Sequence, residues 1–152
     1  MSIKIENLAA KKMAFFRNVG PYGSEENFKM MKEFKKWIRA NGLSKNWFEY
    51  GVYGIAQDNP EVTSPNECRY DVIIPVDNDD EVKEPAMSGN FAGGRYAVFT
   101  ITHTTEAVKE FWHNLNMEIT ENNLILRKAP IIERYKEEEG EDKYCEFLVP
   151  IQ

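Results

Sequence analysis

Apolar positions along the chain come in short runs whose spacing switches between two periods. Residues 12–19, KMAFFRNV, form an apolar strand-like run, ended by Gly20-Pro21-Tyr22-Gly23. Ser24 then offers an N-cap, with Glu25 and Glu26 suited to the first turn of a helix. Phe28, Met31, Phe34, Trp37 and Ile38 recur at helical spacing through Ala40, and Asn41-Gly42 closes the helix. After a short loop, residues 50–57 and 69–76 read as strands, parted by the break Asp58-Asn59-Pro60. Residues 77–84, DNDDEVKE, read as a solvated loop, since the glycine and terminal glutamate spacing of an EF-hand is missing.

The same order then returns. Residues 94–102, GRYAVFTIT, read as a strand. Thr104 or Thr105 can cap a helix carrying Val108, Phe111, Trp112 and Leu115 at i, i+3, i+4 and i+7. Residues 130–136 and 143–151 read as two strands around the charged turn EEEGED at 137–142. Matching places echo one another: KMAFF at 12–16 with RYAVF at 95–99, Trp37 with Trp112, and RYDVIIPV at 69–76 with YCEFLVPI at 144–151. Three echoes in one order mark an internal repeat whose units bury their faces jointly. The pattern predicts an α+β fold, a tandem strand-helix-strand-strand repeat. Its antiparallel sheet should carry two helices on one side, with pseudo-twofold symmetry and a central ligand cleft. One domain is expected over residues 1–152, with halves at 1–77 and 85–152.

Composition narrows the function. Nine Phe, seven Tyr and three Trp are enough both to fill a core and to line a pocket. A net charge of -6 argues against nucleic acid as a partner and mildly favours cations. No apolar run suits a signal peptide or a membrane span, so a cytoplasmic location is expected. Cys68 and Cys145 lie far apart without metal-like spacing and read as reduced core thiols. His103 and His113 have no zinc-like companions. Gly89, Gly93 and Gly94 precede a strand and lack the lysine of a phosphate loop. No nucleophile elbow and no basic recognition helix is present. No metal and no cofactor is expected.

Glu133 in the run Ile131-Ile132-Glu133-Arg134-Tyr135 is the leading site candidate. Facing inward, its carboxylate would sit in an apolar cavity and favour a cation or hold a proton. Facing outward, it would pair across the strands with Arg or Lys. Tyr135 alternates onto the same face. Tyr22, Trp37, Tyr53, Phe91, Tyr96 and Trp112 are candidate aromatic walls, where a cation gains about 0.5 to 2 kcal/mol. For Trp37 and Trp112 the competing reading is helix-to-sheet core packing.

These segments carry a resemblance. NVGPYG at 18–23, GIAQDNP at 54–60, CRYDVIIPV at 68–76, GGRYAVF at 93–99 and IIERY at 131–135 stand in the order found in one family. The chain resembles the gyrase-inhibitor-like family, the effector-binding domain of AraC-type and MerR-type bacterial transcription regulators, in its free-standing form. The resemblance implies the tandem fold and a small-molecule cleft between the halves. In multidrug-responsive members a buried glutamate and aromatic residues hold lipophilic cations. Their E-x-Y strand maps onto Glu133 and Tyr135. This chain departs from the pattern at Ala56, where an aromatic is usual, at Gln57, where histidine is usual, and at 113–129, which lack the family's Trp-Leu-Pro. The expected function is a stand-alone sensor or sequestering protein for small lipophilic, cationic molecules. Two alternatives remain: inhibition of DNA gyrase, and hydrolysis of reactive cyclopropane-type toxins through Glu133. No second acid or base beside Glu133 is evident, which weighs against the enzyme.

Overall fold

The computed structural model describes residues 2–136 and 144–152. The elements follow as β1 (Ser2–Leu8), β2 (Lys11–Val19), α1 (Glu25–Ala40), α2 (Ser44–Tyr50), β3 (Val52–Ala56) and β4 (Arg69–Pro75). Then come β5 (Met87–Phe91), β6 (Gly94–Thr102), α3 (Thr105–Glu121), β7 (Ile132–Tyr135) and β8 (Tyr144–Ile151). The strands form one curled antiparallel sheet in the order β1-β6-β8-β7-β3-β4-β2-β5. The α+β class expected from the repeat is therefore observed.

The repeat is written into the strand order. Exchanging β1 with β5, β2 with β6, β3 with β7 and β4 with β8 turns the order into its own reverse. Registers agree with the sequence echoes: Met13 pairs with Pro75, and its counterpart Tyr96 pairs with Pro150. Each half also lends its first strand to the other, since β1 pairs with β6 and β5 with β2. The links from β1 to β2 and from β5 to β6 cross so closely that Gly93, at φ +72°, has no room for a Cβ against Leu8 and Ala10.

Directly paired residues share a face of the sheet. One such row crosses seven strands: Phe16, Val72, Gly54, Glu133, Phe147, Phe99 and Ile3. Within it Phe16 corresponds to Phe99, Val72 to Phe147, and Gly54 to Glu133. The pseudo-twofold axis thus passes between Gly54 and Glu133, which pair with each other. The helices lie on this face. Phe34 of α1 packs on Phe16 at 4.9 Å, and Phe111 of α3 packs on Phe99 at 5.4 Å and stacks on Phe147 at 4.2 Å. The other face buries Tyr53, Ile73, Tyr96, Val98, Ile132 and Leu148.

Four expectations are corrected. Residues 44–50 form a third helix, so β3 starts at Val52 rather than Tyr50. That turn carries Trp47 into full burial and lets Asn46 donate to the Pro75 carbonyl. β1 and β5 were not anticipated: SIKIENL and MSGNF are edge strands without a long apolar run, held by cross-half pairing. Trp37 and Trp112 do not occupy equivalent places. The axis-related aromatics are Phe34 and Phe111, while Trp37 is buried and Trp112 is 47 % exposed. Phe28, expected on the buried stripe, is 68 % exposed, and Asn27 is buried in its stead. The turn at 137–142 lies outside the described residues.

Candidate functional site

Because α1 and α2 cover β2 and β4 while α3 covers β6 and β8, the axis strands β3 and β7 lie in a gap between them. A cleft of about 660 Å³ opens there. The buried Gly54 and the half-buried Glu133 and Tyr70 line it together with Gln57, Asp58 and Trp112, and the exposed Lys128 stands at its mouth.

Glu133 is half-buried in a row whose other members are apolar or glycine. Burial pushes its carboxyl above the usual carboxylate range; the Tyr135 hydrogen bond and the charge of His103 work in the opposite direction. Tyr135 donates its hydroxyl to Glu133 Oε2. Among the described residues no lysine or arginine pairs with Glu133. The expected alternative, a solvated acid paired across the strands, is thus not what the sheet presents. That arrangement belongs to the next residue on the other face. Arg134 donates to Glu146 at 2.8 and 3.1 Å and to Glu6 at 2.8 Å.

Tyr70 reaches the site because Gly54 has no side chain. A Cβ at Gly54 would collide with the Tyr70 hydroxyl. Burial, and secondly the nearby Glu133 charge, push the Tyr70 phenol up, and the same two causes push Tyr135 up. Both phenols therefore stay protonated donors beside one carboxylate. Trp112 rests edge-on to Phe111 at 5.1 Å and to Phe147 at 5.5 Å, with its other side open to the cleft.

Of the eight expected site residues, the structure gathers Glu133, Tyr135 and Trp112. Tyr22 stands behind the mouth. Its hydroxyl accepts from Asp58 N–H at 2.9 Å, lies 3.0 Å from the Arg69 carbonyl, and so fixes the strand-end segment carrying Asp58. Trp37 is elsewhere, in the α1 core, donating to the Lys83 carbonyl at 3.0 Å. Tyr53, Phe91 and Tyr96 lie on the opposite face of the sheet. Tyr70 and Lys128 were not foreseen. Tyr70 joins the site through the pairing of β3 with β4, and the spacing along the chain carries no trace of it.

The whole chain, residues 1–152, matches the family described as "GyrI-like small molecule binding domain". The chain belongs to that family. The resemblance drawn from the five segments is thereby borne out, and a GyrI-like domain is a small-molecule binding domain. YosT of Bacillus subtilis strain 168, an SPbeta prophage-derived protein named for transcriptional regulation, is 47 % identical over 152 residues, 100 % of both chains. The GyrI-like fold is shared by SAV2435, solved bound to tetraphenylphosphonium, with TM-score 0.59, 15 % identity and coverage of 100 % and 94 %. It is shared too by the EcmrR C-terminal domain, with TM-score 0.67, 9 % identity and coverage of 99 % and 97 %.

Among the described residues no helix is long and apolar enough to cross a membrane, and no group of His, Cys, Asp and Glu is placed to hold a metal. Cys68 and Cys145 are both buried.

Proposed function

We propose that this GyrI-like domain holds small lipophilic cations in the axis cleft, with Glu133 as the group that reads the charge. On this reading it acts as a sensor or sequestering protein in transcriptional control. The observation that carries the reading is a half-buried carboxylate that pairs with no lysine or arginine among the described residues and shares with Tyr70 and Trp112 a cleft large enough for a drug-sized molecule. A ligand cation supplies the partner that the protein withholds, and the rings of Tyr70 and Trp112 add cation-π attraction. The tetraphenylphosphonium held by SAV2435 and the regulatory name of YosT support the same direction.

The test is calorimetric titration of wild type and Glu133→Gln with tetraphenylphosphonium and with neutral triphenylphosphine oxide. Loss of the charge should cost about 2 to 5 kcal/mol of phosphonium binding and much less for the neutral compound. Equal losses for both ligands, or no loss for either, would remove Glu133 from this role.

A further inference from the structure

The cleft holds a second unmatched charge. Its two acids differ: Asp58 is saturated by Arg69 through the guanidinium at 2.8 and 3.0 Å and the backbone N–H at 2.7 Å, whereas among the described residues no lysine or arginine pairs with Glu133. Lys128 also lines the cleft, stands exposed at its mouth, and among the described residues has no acid paired with it. Glu133 and Lys128 thus face one cavity without pairing with each other. They stand five positions apart in the chain, so their Cα atoms lie within roughly 18 Å even on a fully extended chain.

We propose that the cleft is built for amphiphilic zwitterions: molecules with a lipophilic cationic centre and a carboxylate or similar anion on a short arm. This rests on the reading of Glu133 given above. The cation settles against Glu133, beside Tyr70 and Trp112, and the anionic arm points outward to the Lys128 ammonium. A plain cation leaves Lys128 unmatched and is repelled by it at the mouth. A plain anion meets Glu133 and a chain of net charge -6. Only a ligand with both signs, ordered along the cleft, satisfies both groups.

Carboxybutyl-triphenylphosphonium and its methyl ester provide the test. The two share the cationic head and differ by one negative charge at the arm's end. On wild type the acid should bind about three- to fivefold tighter than the ester, the size expected of an exposed ion pair. The gap should shrink as salt rises. Lys128→Met keeps the apolar stem and removes the charge. In that variant the acid should fall to or below the ester, with the ester's own affinity no weaker than before. Glu133→Gln should weaken both. The inference is overturned if the ester equals or exceeds the acid on wild type, or if the acid keeps its advantage in Lys128→Met. In either case a shared loss in Glu133→Gln leaves the proposed function standing. If neither probe binds wild type, both readings fall together.

Discussion

At the scale of single residues, the decisive placement is an acid at the axis of a repeat. Gly54 and Glu133 are counterparts and neighbours at once, so the repeat puts a position without a side chain, taken up by the Tyr70 hydroxyl, beside a carboxylate. Such a carboxylate costs stability. With its pKa raised in the folded protein, the neutral form is the one folding favours. Its contribution is then fully present below the unfolded value of about 4.3 and is lost as pH rises through the raised folded value. Glu133→Gln should therefore raise Tm relative to wild type near pH 8, by about 2 to 4 °C per kcal/mol recovered, with the gain vanishing near pH 4. Thermal unfolding of both proteins at the two pH values checks this; an equal offset at both would show that ionisation is not the cause. The run IIERY made Glu133 legible as an acid out of place among apolar residues. Its orientation was open until the pairing with Gly54 and Phe147 placed it on the helix face.

At the scale of elements, α3 divides its work between adjacent residues. Phe111 is fully buried on Phe99 and Phe147, while Trp112 is half exposed on the cleft. Phe111→Ala should cost about 3 to 5 kcal/mol of stability by leaving a cavity. Trp112→Ala should cost far less stability yet weaken phosphonium binding. Chemical denaturation and ligand titration of the two variants separate these roles, and comparable stability losses would contradict the division. Helical periodicity revealed α1 and α3, and apolar runs revealed β2, β4, β6 and β8. What stayed hidden was set by long-range pairing. β1 and β5 have few apolar positions and are strands because the opposite half supplies their partners. α2 was read as a short loop before a strand at Tyr50, because its 7 residues make only about two turns, too few for a helical period to show.

At the scale of the whole molecule, the two halves match in topology but not in what they fill. Where the second half places Tyr135, buried in its core, the first has Ala56, exposed on the cleft. Where the second half has a segment of turns and bends before β7, the first has α2. The echoes KMAFF/RYAVF and RYDVIIPV/YCEFLVPI fall in identical registers, so the symmetry was readable in the sequence. The asymmetry that makes the cleft was readable only in part, at Ala56. Residues on the far face, Tyr53, Phe91 and Tyr96, could not be told from site residues by composition, because both faces of this sheet are buried.

The account stands on the claim that the Glu133 carboxylate, lodged between the halves, is the group that senses a bound cation. Carbon-detected NMR titration of that carboxyl, with and without tetraphenylphosphonium, tests it most directly. The account predicts a midpoint above the usual carboxylate range in the free protein and a fall in that midpoint when the phosphonium is added, because the cation favours the ionised form. A midpoint that does not move under saturating phosphonium would contradict it.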